Sequence, residues 1–113
     1  MAAYVPDRGD VVWLQFTPQR GHEQAGLRPA LILSPRAYNR KVGLALACPI
    51  TGQVKGYPFE VVIPDGLDAR GAILCDQIKS LDWRARKARR LARVPAEVLA
   101  EVTARILVLV DPA

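Results

Sequence analysis

The sequence predicts a small, mainly β fold of the α+β class, with short strands in a barrel or strongly bent sheet and one C-terminal helix. Three observations predict it. The chain has 113 residues, the size of a single domain that spans 1–113. Most of its length holds short apolar runs closed by proline or glycine, and its last part changes to helical periodicity.

Five runs rich in β-forming residues predict five strands, at 11–16, 30–34, 44–48, 59–63 and 72–75. Turn-forming residues, such as Pro64, Asp65 and Gly66, separate the runs. Residues 18–29 contain two glycines and two prolines and follow no period, which predicts a long functional loop. Many short strands with tight turns are typical of a small barrel.

Helical spacing begins after Pro95, a residue that suits the first turn of a helix. The apolar positions that follow predict one amphipathic helix: Val98, Leu99, Val102, Ile106, Leu109 and Val110. Leu107 and Val108 widen its apolar face, which is compatible with packing on the chain's own sheet or with burial against a second subunit as well. A further helical turn is predicted at residues 36–39, after Pro35.

Composition argues against several classes of protein. The first ten residues form no apolar run that could serve as a signal peptide, and residues 106–110 are too short to span a membrane. We therefore expect a cytoplasmic protein. Cys48 and Cys75 lie in apolar runs and are expected in the core. With His22 they make too few ligands for a structural zinc site, so we predict neither metal nor cofactor.

The positive charge is concentrated in one stretch. Residues 79–93 contain seven lysines and arginines against Asp82 alone, a net charge of +6, while the rest of the chain nets to −1. Such a stretch is typical of a surface that binds a polyanion or an acidic protein. A solvated basic face is the alternative, and the charge run alone does not separate the two.

Three polar residues lie beside predicted breaks in regular structure, namely Glu23, Arg28 and Thr51. They could support cleavage of RNA by its own 2′-hydroxyl, which needs a proton acceptor, positive charge at the phosphate and accurate positioning. Glu23 would accept the proton, Arg28 would stabilise the charge and the Thr51 hydroxyl would orient a phosphate oxygen. Taken singly, Arg28 is more simply interpreted as a surface charge and Thr51 as a turn residue.

Six motifs occur in an order that resembles one known family. They are YVPDRGD (4–10), GHEQAGLRP (21–29), LSP (33–35), PIT (49–51), KGYPFE (55–60) and DQIKSLDWR (76–84). Together these motifs span most of the chain. In them the chain resembles the MazF/PemK toxin endoribonucleases of bacterial toxin–antitoxin systems.

The resemblance implies an SH3-like β-barrel with a C-terminal helix and a two-fold homodimer. It implies sequence-specific cleavage of single-stranded RNA without a metal, giving 2′,3′-cyclic phosphate and 5′-hydroxyl ends. A small acidic antitoxin, like MazE, would inhibit the toxin. The family's catalytic arginine and threonine fall on Arg28 and Thr51, with Glu23 assisting. We expect RNA contacts from Lys55, Gln77, Lys79, Arg84 and Arg86.

One departure from the family pattern is Gly52, where many relatives carry a second hydroxyl residue. It leaves open a catalytically inactive RNA- or DNA-binding barrel. Another alternative is a toxin of the same fold that poisons DNA gyrase, but that relative uses a C-terminal tryptophan, which residues 109–113 lack. Trp13, Tyr57 and Phe59 could stack on bases, although core positions are favoured for Trp13 and Phe59.

Overall fold

The computed structural model describes residues 3–16 and 26–112, which form seven antiparallel strands and two helices. In chain order these are β1 (Asp10–Phe16), β2 (Gly26–Ile32), α1 (Arg36–Val42), β3 (Ala45–Thr51), β4 (Glu60–Val62), β5 (Ala72–Leu74), β6 (Lys79–Leu81), β7 (Arg89–Arg93) and α2 (Ala96–Val110). The strands follow the order β4-β5-β3-β2-β1-β7, and β6 also pairs with β3. The mainly β class with a closing helix is therefore confirmed.

β3 pairs with three different strands. Its first residues, 45–47, pair with β6, and its last two, Ile50 and Thr51, pair with β5. Residues 47–49 pair with β2. Because Ala47 pairs with both β2 and β6, these two strands lie on opposite edges of β3. Pro49 has no N–H to donate to a neighbouring strand.

Each face of the sheet covers its own apolar cluster. On one face Leu31 and Cys48 pack with Val98 and Val102 of α2. The other face carries Val12, Leu14, Ala30 and Ala47, which pack with Trp83 and with Val5 of the N-terminal segment. Cys48 and Cys75 are both fully buried, as predicted.

A buried carboxylate joins the N-terminal segment to β1 and β7. Asp10 is 1% exposed. Its Oδ2 accepts hydrogen bonds from the Tyr4 hydroxyl at 2.6 Å and the Asp7 amide at 3.0 Å, and its Oδ1 accepts one from Arg93 Nη1 at 2.9 Å. Burial and the bond to Asp10 raise the pKa of Tyr4, so the phenol stays a donor. A charge can be buried here because it is fully paired.

A second buried polar residue, Asn39, fixes α1 against the same segment. Its amide donates to the carbonyl oxygens of Pro6 and Ser34, at 2.8 and 2.9 Å. Its own backbone carbonyl accepts a bond from Trp83 Nε1 at 3.0 Å. These hydrogen bonds hold α1 in place, although the helix has only seven residues. The buried Asn39 amide donates to two acceptors, as a buried polar group requires.

Three predictions about the elements were wrong. β2 begins at Gly26, so residues 26–29 belong to a strand and not to the predicted loop. Residues 17–25 lie outside the described part of the chain. The strands β6 and β7 were not predicted, because their sequences are largely polar and were interpreted as a charge run. The turn predicted at 36–39 is the longer helix α1. The C-terminal helix is confirmed.

Asp7 makes the stability of the fold depend on pH. Hydrogen bonds from the backbone N–H groups of Arg36 and Arg8 hold its pKa below the ordinary value of 3.8. The ionised form is therefore the one that the fold favours. Its contribution is present above the ordinary pKa and is lost as the pH falls through the lowered value.

We expect Asp7→Asn to lower the free energy of unfolding at neutral pH by about 1 kcal/mol. The variant should also lose less stability than the wild type when the pH falls from about 5 to about 3. Urea unfolding across this range measures both effects, with the exposed Asp68→Asn as the matched control. An unchanged pH dependence in Asp7→Asn would contradict the assignment.

Candidate active-site groove

The two predicted catalytic residues lie just past the end of the pairing between β2 and β3. The last pair of this ladder is Ala30 with Pro49, and Arg28 and Thr51 each lie two residues beyond it. Arg28 itself pairs with β1, and Thr51 pairs with β5. Alternation along the strands puts both side chains on the sheet face that carries Ala30 and Ala47. Both residues are half-buried. The pairing of β2 with β3 therefore places residues from two separate motifs at the same end of these strands.

An open groove of about 400 Å³ lies beside Thr51. Its polar lining includes Lys55, Glu60, Asp76 and Gln77. Two of the residues predicted to bind RNA, Lys55 and Gln77, therefore face the same groove as the predicted catalytic threonine. A concave site with a few converging polar groups is typical of ligand binding.

The backbone around Thr51 is fixed from two sides. The backbone N–H of Gln53 donates a hydrogen bond to Thr51 Oγ1 at 3.1 Å. The hydroxyl proton of Thr51 is therefore available to another acceptor. Gly71 lies against the Thr51 carbonyl, since a Cβ at position 71 would come within 2.1 Å of that oxygen. Gly71 also has φ +109°, a conformation that favours glycine.

Two carboxylates line the groove, and each has a different role. Asp76 Oδ2 accepts a hydrogen bond from the Tyr57 hydroxyl at 2.9 Å, and this bond raises the pKa of Tyr57. Glu60 Oε1 accepts two backbone N–H groups, from Lys55 and Gly56. Both carboxylates lie inside motifs of the sequence, but no role was predicted for either of them. No local sequence pattern marks Glu60 as an acceptor for the turn at Gly56, which lies four residues earlier.

The remaining predicted RNA contacts lie outside the groove lining. Lys79 is exposed and pairs with Ala47 across β6 and β3. The Arg84 guanidinium lies over the Trp83 ring at 4.8 Å. These residues extend the basic surface, but the structure does not bring them to Thr51.

Arg86 lies on the same face of the sheet as Arg28. Its guanidinium stacks over the Phe16 ring at 4.4 Å and donates to the Gln15 carbonyl at 3.3 Å. Phe16 lies two residues along β1 from Leu14, the residue that pairs with Arg28. Arg86 therefore adds positive charge to the face that carries Arg28.

The predicted basic surface is smaller than residues 79–93 suggest. Arg93 binds Asp10 at 2.9 Å and lies 4.0 Å from Asp7, and Arg90 lies 4.0 Å from Asp10. These two arginines hold the fold together. The buried carboxylate of Asp10 needs their charge. Both side chains are about half exposed, and ligand binding by this part of the stretch stays a prediction.

Other predicted residues have mixed outcomes. Phe59 is half-buried and packs on the cluster beneath α2, whereas Tyr57 is exposed with its ring centroid 5.8 Å from that of Phe59. Trp13 is half-buried and lies between Pro29 and Arg89 in the sheet, so the predicted core position is only partly correct. Glu23 lies outside the described residues.

Within residues 3–16 and 26–112, no three His, Cys, Asp or Glu side chains form a group that could hold a metal ion. Burial raises the pKa of the Cys48 thiol to about 12 and that of Cys75 to about 11. Both thiols therefore stay protonated at neutral pH and are poor nucleophiles. In the same part of the chain, no helix is long and apolar enough to cross a membrane.

The sequence model of PemK-like, MazF-like toxins of type II toxin–antitoxin systems matches residues 7–110. The chain belongs to this family. The "Endoribonuclease toxin MazF" of Escherichia coli K12 is 50% identical over 110 residues, which cover 97% of this chain and 98% of that protein. "Endoribonuclease PemK" of Escherichia coli is 38% identical over 104 residues, covering 88% of this chain and 78% of that protein.

A solved structure shows the same fold. The MazE–MazF complex (Form-II) from Deinococcus radiodurans contains a chain that is 56% identical, with a TM-score of 0.93. The match covers 98% of this chain and all of that one. The family and the barrel-type fold predicted from the six motifs are thus confirmed.

Gly71→Ala tests how the PemK/MazF fold holds Thr51. The new Cβ would clash with the Thr51 carbonyl, so we expect a loss of about 2 kcal/mol or more in the free energy of unfolding. RNA cleavage should fall at least about tenfold, because Thr51 must shift. Gly52→Ala is the matched control, since a Cβ there meets nothing within 4 Å. Equal effects at both positions would contradict a specific role of Gly71.

Proposed function

We propose that the chain is a toxin that cuts single-stranded mRNA at a recognised sequence without a metal ion. The observation that carries the proposal is that Arg28 and Thr51 lie at the same end of the paired strands β2 and β3, with Thr51 at a groove that Lys55 and Gln77 also line. The endoribonuclease names of its relatives support the reaction type. The concentration of positive charge supports a polyanionic substrate.

The reaction needs no external nucleophile. The 2′-hydroxyl of one nucleotide loses its proton and forms a bond to the adjacent phosphorus. The bond from phosphorus to the 5′-oxygen of the next nucleotide breaks, and that oxygen takes up a proton. The products are a 2′,3′-cyclic phosphate and a 5′-hydroxyl, and charge develops on the phosphoryl oxygens between the two events.

Arg28 and Thr51 are assigned to the phosphate. The guanidinium stays charged at any physiological pH and can bind two phosphoryl oxygens at once, so it stabilises the charge as it develops. Thr51 Oγ1 already accepts the Gln53 N–H, and its own proton can be donated to a phosphoryl oxygen. Lys55 supplies a further positive charge along the groove.

The proton acceptor is assigned to a carboxylate. The family resemblance assigns the assisting carboxylate to Glu23. Of the two described groove carboxylates, Asp76 accepts a side-chain hydroxyl, whereas Glu60 accepts two backbone N–H groups that hold the loop. Gln77 beside it offers both a donor and an acceptor to a base edge.

We propose that the active form is a homodimer in the cytoplasm and that an acidic antitoxin inhibits it by binding. Leu107, Val108, Leu109 and Val110 are exposed at the end of α2, and such an apolar surface supports self-association. The exposed Lys79 and Arg84 suit an acidic partner that competes with RNA. The solved MazE–MazF complexes show that relatives bind an antitoxin.

Cleavage in excess EDTA tests the reaction. Purified protein is incubated with a long single-stranded RNA, and the new 5′ ends are mapped. We expect cuts at a recurring short motif with 5′-hydroxyl ends. Intact RNA across varied sequences, with growth arrest retained, would favour gyrase poisoning. Intact RNA that is bound without growth arrest would favour an inactive binding barrel.

Arg28→Ala should lower the cleavage rate about a hundredfold or more, because the developing charge loses its partner. Arg28→Lys keeps the charge but not the planar pair of donors, and we expect it to recover only part of the loss. Both variants are measured with the same RNA, and circular dichroism checks that the fold is retained. Full activity in Arg28→Ala would contradict the assigned role.

Sedimentation equilibrium tests the homodimer. A pair would have twice the 12.4 kDa mass of one chain. We expect this mass at micromolar concentration, and a charge introduced by Val108→Arg should shift the equilibrium towards the single chain. A wild-type mass of one chain at all concentrations would contradict the proposed dimer.

A further inference from the structure

The segment between β3 and β4, residues 52–59, forms one wall of the groove. It contains neither strand nor helix, yet Gln53, Lys55 and Tyr57 all line the groove. We call it the groove loop. An exposed loop without regular hydrogen bonds samples many conformations unless specific contacts order it. The contacts that order this loop therefore decide where the Lys55 ammonium lies.

Glu60, the first residue of β4, orders the groove loop through one oxygen. Its Oε1 accepts the N–H groups of Lys55 and Gly56, both at 3.0 Å. The Glu60 amide in turn donates to the Tyr57 carbonyl at 2.9 Å. Gly56 has φ +77°, so the chain turns sharply at the point that the carboxylate grips.

The C-terminal end of the loop is also anchored, at Tyr57 and Pro58. Tyr57 donates its hydroxyl hydrogen bond to Asp76 on the far side of the groove. Arg105 of α2 donates to the Pro58 carbonyl and pairs with Glu101 at 2.9 Å. Between Thr51 and these anchors, the backbone N–H groups of Lys55 and Gly56 donate to Glu60. These two bonds are the described contacts that hold the backbone at Lys55.

A carboxylate in a groove that binds RNA has an electrostatic cost. Negative charge near the phosphates weakens binding of a polyanion, so Glu60 lowers affinity unless it supplies something else. Its Oε1 accepts two backbone N–H groups, a geometry that stabilises a turn. The described contacts of Glu60 therefore indicate that it holds the loop.

We propose that Glu60 is a positioning residue that holds the groove loop in the conformation that presents Lys55 to the RNA phosphates beside Thr51. This inference rests on the proposed function. It assigns Glu60 no contact with RNA, and its whole effect passes through Lys55 and its neighbours. An oxygen acceptor at position 60 is required, and the negative charge is not.

Two substitutions at one position separate the roles. Glu60→Gln and Glu60→Ala both remove the charge, but only glutamine keeps an oxygen that can accept the two N–H bonds. We expect kcat/KM to fall about tenfold in Glu60→Ala, mainly through KM, and to stay within about threefold of wild type in Glu60→Gln. Cleavage of an RNA with the mapped motif gives both constants.

Salt dependence reports whether Lys55 is involved. Each phosphate contact on single-stranded nucleic acid contributes about 0.7 to the slope of log affinity against log salt. We expect Glu60→Ala and Lys55→Ala to lower this slope by the same amount, and the double variant to lower it no further. Additive losses in the double variant would overturn the proposal.

The other outcomes are equally decisive. Equal loss of kcat in Glu60→Gln and Glu60→Ala would identify a proton-transfer role and overturn the proposal. Tighter RNA binding in both variants, with unchanged cleavage, would show that only the charge matters. If Glu60→Ala does not fold, Gly56→Ala tests the same turn, because φ +77° disfavours alanine and its Cβ meets nothing within 4 Å. An unchanged KM in that variant would overturn the proposal.

Failure of the proposed function can be recognised separately. RNA binding is measured by fluorescence anisotropy with a 2′-O-methylated single strand, which cannot be cleaved. If the wild type binds this strand but never cuts RNA, the reaction is wrong, while the positioning role is still tested by the affinity and its salt slope. If affinity and slope are the same in Glu60→Ala and wild type, the positioning role is wrong.

Discussion

The architecture depends on one strand, β3, which pairs with β2, β5 and β6. Its pairing with β2 ends at Ala30 and Pro49, so Arg28 and Thr51 lie at the same end of these two strands. Pairing of Thr51 with β5 fixes the last residue of β3 at the groove. The groove therefore lies where β3 has passed from its pairing with β2 and β6 to its pairing with β5.

The basic residues are divided between the fold and the ligand. The buried Asp10 requires paired positive charge, and Arg93 and Arg90 supply it from β7. The seven lysines and arginines of residues 79–93 therefore overstate the positive charge that is available to a ligand, because two of them are paired with Asp10. Arg86 and Lys55 remain directed at the sheet face and the groove, where a polyanion would lie.

Much of the fold could be predicted from local patterns. The apolar runs and the helical period of α2 gave the right class because burial determines those patterns. The polar strands β6 and β7 could not be found this way: they lie beside other strands through backbone hydrogen bonds, which leave no periodic signal in residues such as Lys79 or Arg89. The beginning of β2 at Gly26 was also missed, because Pro29 suggested a loop and pairing with β1 decided otherwise.

The site was predicted in part. The motifs predicted that Arg28 and Thr51 belong to one site, and the structure places both residues at the same end of the paired strands β2 and β3. The role of Glu60 could not be predicted, because it depends on a turn at Gly56 whose shape is set by three-dimensional contacts.

The hydrogen bonds that the carboxylates accept indicate which of them could take up the proton of the 2′-hydroxyl. In a site for RNA, each negative charge lowers affinity unless the protein engages it. Asp10 and Asp7 are committed to the N-terminal network, and Glu60 Oε1 is committed to two backbone amides. Asp76 differs in its donor, because its Oδ2 accepts the side-chain hydroxyl of the exposed Tyr57 and no backbone amide. A side-chain hydroxyl can exchange for another donor without moving the backbone, whereas loss of the bonds to Glu60 would release the loop. Among the described groove carboxylates this favours Asp76 over Glu60 as a group that could take part in proton transfer.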